Sequence, residues 1–153
     1  MSKLEFSKLS PYKAPEESPG FLLWKVSTLW RRAIEASLKP LDLTHPQFVV
    51  LAAIGWLTKT KPLVRQIEIA RQAGLDANTT SQILKGLQKK KWITRDQTGD
   101  ERSKYPSLTP EGQNVLKKAF PLIEGVNATF FGRINCHKTS FITALQQLQI
   151  LEF

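Results

Sequence analysis

The chain has 153 residues, 41% hydrophobic and 23% charged, which is one domain's worth with enough apolar side chain to form a core and excludes a wholly disordered chain. Lys and Arg number 22 against 13 Asp and Glu, so the net charge is +9, a balance that favours polyanions, nucleic acid before an anionic membrane. One cysteine and two histidines exclude an internal disulfide and a Cys-rich zinc site and fit a reducing cytoplasm, and no segment has the roughly 20 apolar residues of a membrane span or the apolar run of a secretory signal.

Residues 1–20 contain Pro11, Pro15 and Pro19 and few large apolar side chains, and are expected to form an extended arm. From Phe21 to Leu38 apolar residues recur at helical spacing, in Leu22, Val26, Leu29, Ala33 and in Leu23, Trp30, Ile34, Leu38, so a helix with a broad apolar face is predicted, ended by Pro40. Thr44 is a good N-cap for the next helix. Gln47 completes a capping box, and Leu43 and Phe48 stand at the staple positions. Phe48 to Leu57 is apolar nearly all round, which predicts a helix central to the core.

Arg65 to Ala73 reads as a short helix closed by Gly74. Asp76 caps a further helix whose inner face is Thr80, Ile83, Leu84 and Leu87. Two short helices joined in this way form a helix-turn-helix pattern. Trp92 to Arg95 then reads as a strand, Gln97-Thr98-Gly99-Asp100 as a turn, and Lys104 to Leu108 as a returning strand that Pro106 confines to an edge or bulge. Thr109 and Pro110 open a long helix with Val115, Leu116, Ala119, Leu122, Ile123, Val126 and Phe130 as its apolar stripe and Pro121 as a kink point. Phe141 to Leu151 reads as a last amphipathic helix.

The fold class expected is mainly α with a small β-hairpin wing: a winged helix-turn-helix lobe plus a helical dimerisation region. The first helix and the last two are apolar over more surface than one small lobe covers, and a symmetric dimer is the economical solution. A monomer packing its own termini is the alternative. Eleven cations against five anions lie between Lys59 and Lys104, so +6 of the +9 sits on the predicted lobe. A solvated surface is the simpler alternative to polyanion binding.

Leu43-Thr44-His45-Pro46-Gln47-Phe48-Val49-Val50-Leu51, Ile69-Ala70-Arg71-Gln72-Ala73-Gly74-Leu75, and Asp100-Glu101-Arg102 followed by Leu108-Thr109-Pro110-Glu111-Gly112 stand in the order and spacing of one family. From about Phe21 to Phe153 the sequence resembles the MarR family of bacterial winged-helix regulators. The resemblance implies a homodimer whose first, fifth and sixth helices form the dimer region. It also implies two lobes gripping pseudo-palindromic double-stranded DNA, and Asp100 and Arg102 at the wing tip. The organisation expected is an arm at 1–20, dimerisation helices at 21–40 and 110–153, and a DNA-binding lobe at 41–109. Two departures from the family stand out: Lys91 where a Gly often follows the recognition helix, and Arg65 where Ser or Thr commonly caps the first helix of the motif.

Capped by Asp76, the predicted recognition helix turns Asn78, Thr79, Ser81, Gln82 and Lys85 outward. Amide side chains pair with adenine and Lys with guanine in the major groove; the plain alternative is a solvated helix face. Arg102 suits a narrow minor groove, while Asp100 orients the turn or pairs with Arg102. Lys89, Lys90, Lys91, Arg95 and Lys104 are expected to neutralise phosphates, or in part to complement the helix C-terminal dipole. Trp24, Trp30, Phe48 and Trp56 lie on helices that in the family border a crevice for small aromatic effectors; ordinary packing is the alternative for each. Cys136 reads as a plain free thiol and His45 as a helix-start residue. No catalytic set, phosphate loop or metal cluster is present, so the expectation is a cytoplasmic, non-enzymatic regulator without cofactor. An architectural or RNA-binding dimer without sequence choice is the competing class.

Overall fold

The structure, a computed structural model, describes residues 4–97 and 104–150. Eight regular elements follow one another: α1 (Pro19–Leu38), α2 (His45–Leu57), α3 (Gln66–Ala73), α4 (Ala77–Lys89), β1 (Ile93–Gln97), β2 (Lys104–Leu108), α5 (Pro110–Phe131) and α6 (Lys138–Leu148), with short 3-10 turns before α1, after α1 and before α6. The chain divides into two compact units, Met1–Ala33 and Ile34–Phe153. The first holds two 3-10 turns, Phe6–Lys8 and Pro15–Glu17, and most of α1. Its apolar residues Leu22, Leu23, Trp24, Val26 and Leu29 are exposed.

The second unit holds a continuous core. Ile34 and Leu38 at the end of α1, Val50, Leu51 and Ile54 of α2, Ile69 of α3, Leu84 and Leu87 of α4 and Ile93 of β1 are almost wholly buried. Burying each such side chain is worth about 1.5–3 kcal/mol. α2 begins on the predicted capping box: the Gln47 N–H donates to Thr44 Oγ1 at 3.3 Å and the Thr44 N–H to Gln47 Oε1 at 3.2 Å. α2 is not buried all round, however. Trp56 is 63% exposed, because its side of the helix faces a cavity rather than the core.

α3 lacks a side-chain cap at Arg65, and the sequence compensates from the other side. Glu68 Oε2 accepts the Arg65 N–H at 2.9 Å, and Lys61 pairs with Glu68. These two contacts, the lysine first, hold the Glu68 carboxyl below its usual range. Gly74 ends α3 at φ 65°, the left-handed conformation glycine adopts freely.

β1 and β2 form one antiparallel hairpin with Ile93 opposite Leu108 and Arg95 opposite Pro106. Pro106 has no N–H for a ladder, and a two-stranded sheet supplies the edge it needs. Thr109 joins three elements. Its N–H donates to Trp92 O at 3.0 Å, its hydroxyl to Lys91 O at 2.8 Å, and the same oxygen caps α5 by accepting from the Gly112 N–H at 3.0 Å. α5 then runs unbroken through Pro121 to Phe131, burying Gly112, Leu116, Ala119 and Ile123 at steps of four, three and four.

Candidate nucleic-acid interface

α4 is the element that the rest of the lobe holds up. Asp76 caps it: Oδ1 accepts from the Thr79 N–H at 2.8 Å and Oδ2 from the Thr79 hydroxyl at 2.6 Å. Those two bonds, the hydroxyl first, lower the Asp76 carboxyl below its ordinary value. Thr80 is fully buried, and its hydroxyl is satisfied by Asp76 O at 2.8 Å. With Leu84 and Leu87 it forms the inner side.

The outer side carries the residues singled out from the sequence. Asn78, Gln82, Lys85 and Lys89 are exposed and Ser81 is half-buried; their spacing of three and four places all five on one face. Thr79 is exposed but lies to one side of that face, with its hydroxyl proton already given to Asp76. What it can offer a partner is its methyl group and an acceptor lone pair.

α4 ends where the sequence departs from the family. Lys91 has φ 62°. The Lys91 N–H donates to Gln88 O at 3.0 Å and the Trp92 N–H to Leu87 O at 3.1 Å, which is the paired closure usually made around glycine. The left-handed turn is kept even though lysine occupies it.

The five basic residues expected at phosphates do not share one environment. Lys89 and Lys91 are exposed beside the end of α4. Lys104 opens β2 opposite Gln97. Lys90 turns inward instead: its ammonium donates to Asp42 O, lies 3.2 Å from Asp42 Oδ2 and 3.4 Å from Gln47 Oε1, and sits 4.6 Å from the centre of the Trp92 ring. Arg95 also turns inward. A guanidinium N–H reaches the Ser81 carbonyl at 3.5 Å, its Nε is buried without a partner among the described residues, and burial lowers its pKa. Lys90 and Arg95 therefore reach toward oxygens of this chain, whereas Lys89 and Lys91 are exposed. Asp100 and Arg102, the expected wing tip, lie outside the described residues.

Of the four aromatics expected at an effector site, Phe48 and Trp56 meet in one cavity of about 500 Å³ in the second unit. Val49 and Ala52 of α2, Gln72 of α3 and Leu116 and Phe120 of α5 are among the other residues of its wall. Phe48 and Phe120 meet edge to face at 5.1 Å, and Lys59 Nζ lies 5.1 Å from the Trp56 ring centre at the rim. The volume is that of a small-molecule site. Trp24 and Trp30 belong to the first unit, where Trp24 is exposed and Trp30 half-buried. The sequence reading missed Gln72, Lys59 and Phe120. The only signal for Phe120 was its place four residues after Leu116, on the same side of α5.

Helix, turn, helix and a two-stranded hairpin, with a capped polar helix facing outward, define a winged helix-turn-helix protein. Comparison places it more closely. A family model described as MarR family matches residues 41–103. The uncharacterized HTH-type transcriptional regulator YdcH of Bacillus subtilis is 32% identical over 140 residues, covering 91% of this chain and 95% of YdcH. CouR of Rhodococcus jostii, solved with p-coumaroyl-CoA, shares the fold at a TM-score of 0.79 and 22% identity, over 93% of this chain and 99% of CouR. The MarR family protein Rv2887 of Mycobacterium tuberculosis, solved with DNA, gives a TM-score of 0.63 at 25% identity, over 86% and 97% of the two chains. The same protein has been solved with salicylic acid. The chain belongs to the MarR family, and it is a DNA-binding transcriptional regulator. Among its described residues no helix is long and apolar enough to cross a membrane.

Proposed function

We propose that two copies of this chain join through residues 21–40 and 110–153 and present two lobes, residues 41–109, to a pseudo-palindromic site on double-stranded DNA. α4 enters the major groove. Asn78, Ser81, Gln82 and Lys85 face base edges, with Thr79 at the margin. Lys89, Lys91 and Lys104 neutralise phosphates, and Asp100 and Arg102 form the wing tip, with Arg102 in the minor groove. The protein acts in the cytoplasm without cofactor or catalysis.

The observation that carries this reading is the contrast across α4. On one side Thr80, Leu84 and Leu87 are buried and Ile83 half-buried, while the other is polar, basic and covered by no described element. A helix fixed that firmly, with amides and lysines outward, suits base-edge contact.

Control by a small aromatic effector is part of the proposal. Phe48, Trp56 and Phe120 supply flat apolar walls, and the ammonium of Lys59 stands at the rim to meet an anionic substituent. Structures of Rv2887 with salicylic acid and of CouR with p-coumaroyl-CoA support the reading. Trp24 and Trp30 were expected at the same crevice, and the proposal rests on Phe48 and Trp56.

The test is selection of bound sequences from a random DNA pool, followed by affinity for the selected and scrambled sites at physiological salt. A regulator is expected to prefer its site by about a thousandfold or more. A ratio near one would replace this reading with the architectural or RNA-binding one.

A further inference from the structure

Two of the cations expected on phosphates are half-buried and reach toward oxygens of this chain, and they hold α4 at two separated points. At its C-terminal end, Lys90 is surrounded by three oxygens: Asp42 O, Asp42 Oδ2 at 3.2 Å and Gln47 Oε1 at 3.4 Å. An ammonium has three N–H donors and no acceptor, and all three oxygens lie within reach of them. The Trp92 ring at 4.6 Å covers another side. Asp42 ends the turn Lys39–Leu41 with φ 50°, a conformation that Asp tolerates better than most residues. That turn connects α1 to α2, so Lys90 ties the end of α4 to the connector following α1.

Nearer the start of α4, Arg95 braces Ser81 from the inner face of β1. Ile93, two residues earlier and on the same face, is buried, whereas Thr94 between them is exposed. Arg95 stands opposite Pro106, which is buried. The strand therefore directs the guanidinium at the helix rather than at solvent.

We infer that Lys90 and Arg95 are positioning residues that set the tilt of α4 and thereby the choice of DNA sequence, and that neither contacts phosphate. The inference rests on α4 being the recognition helix. Nine residues separate the two grips, about 13 Å of helix axis. A swing of about 0.1 radian around one of them moves the other end by about 1 Å, more than the distance range that a good hydrogen bond tolerates. Losing either grip therefore loosens the aim of Gln82 and Asn78 while leaving the exposed cations in place.

The experiment measures binding to the selected site and to random DNA across a salt series for Lys90→Met, Lys90→Arg, Arg95→Met and Asp42→Asn, with Lys89→Met as the phosphate-contact control. Folding of each variant is checked by circular dichroism at the binding temperature. Lys90→Met and Arg95→Met are expected to reduce preference for the selected site about tenfold while random-DNA affinity and the salt slope stay at wild-type values. Lys90→Arg recovers most of the preference. Lys89→Met lowers the magnitude of the slope by about two per dimer, because each phosphate contact contributes about 0.9.

If Lys90→Met does not fold, Asp42→Asn decides for Lys90, since it removes the ion pair while keeping a residue suited to the left-handed turn. It is expected to lower preference about threefold with the slope intact. If Arg95→Met does not fold, Arg95→Lys, which shortens the brace without removing the charge, takes its place with the same expectation. Equal weakening on both DNAs with a reduced slope would return Lys90 and Arg95 to the phosphate backbone and overturn the inference. Unchanged preference in the folded variants overturns it as well. Absence of any preference in the wild type instead removes α4 as a recognition helix, a failure of the underlying reading that the selection step reveals first.

Discussion

At the scale of single residues, the junction of Lys91, Trp92, Thr109 and Gly112 shows why certain side chains stand where they do. A Cβ on Gly112 would lie 2.0 Å from Trp92 O and 2.9 Å from Trp92 C. Both are backbone atoms that cannot swing aside, and Trp92 O is also held by the Thr109 N–H. Gly112→Ala is therefore expected to destabilise the fold by about 3 kcal/mol or more, lowering Tm by about 10 °C. Calorimetry showing an unchanged Tm would mean that α5 can start elsewhere. Lys91 makes the opposite case. Its φ of 62° strains any residue with a Cβ, so Lys91→Gly is expected to stabilise by about 1 kcal/mol; a fall in Tm would show that the lysine side chain outweighs its strain. Asp76 gives a pH signature. Its carboxyl is held below the ordinary value by the Thr79 hydroxyl and N–H. A carboxyl depressed in the folded state contributes stability fully above its unfolded pKa of about 3.9 and loses it as pH falls through the lower folded value. Asp76→Asn keeps the cap acceptor and removes the titration. Urea midpoints from pH 7 down to about 2 should therefore fall less steeply for the variant than for the wild type, and parallel curves would exclude the cap as a source of acid sensitivity.

At the scale of elements, α4 carries the prediction and also shows how far a sequence can be read. Gln82 is exposed on the face shared with Asn78 and Lys85. Gln82→Ala is expected to weaken the selected site by about 1–3 kcal/mol, as loss of a bidentate base contact does, with random-DNA affinity unchanged. Equal losses on both DNAs would make it a backbone contact, and no loss would make it a solvated side chain. The start and inner side of α4 were legible beforehand, as was the capping box of α2. Caps and apolar periodicity are set by residues three to six apart, so they are written locally. The inward turn of Lys90 was not legible. Its partner Asp42 lies 48 positions away, and nothing local separates a lysine that finds three oxygens from its neighbours Lys89 and Lys91, which point outward. Arg95 is similar, since its target is a main-chain carbonyl on another element. For Trp56 the sequence left both packing and an effector crevice open. An apolar residue can line a cavity as readily as fill a core, and only the placement of Gln72 and Phe120 distinguishes the two.

At the scale of the whole molecule, the question is what the last helix is for. Among its described residues α6 buries none, although Ile142, Leu145 and Leu148 recur at helical spacing and are 45%, 40% and 57% exposed. Leu22, Leu23, Trp24 and Leu29 are exposed in the first unit as well. Exposed apolar area of this extent is what a two-fold interface buries. The purified protein is therefore expected to sediment at micromolar concentration with twice the 17.3 kDa chain mass. Leu145→Glu places a charge on each copy at this surface, where desolvation penalises it; it is expected to sediment as a monomer while the lobe melts as before. DNA binding should then fall by about a hundredfold or more, since joining two lobes makes the second half-site an intramolecular event worth 10² to 10⁴ in avidity. Binding to a single half-site should be left nearly unchanged. A wild-type monomer in the centrifuge would sink the dimer and the two-half-site arrangement together. A Leu145→Glu dimer of full affinity would keep the assembly but move its interface off α6.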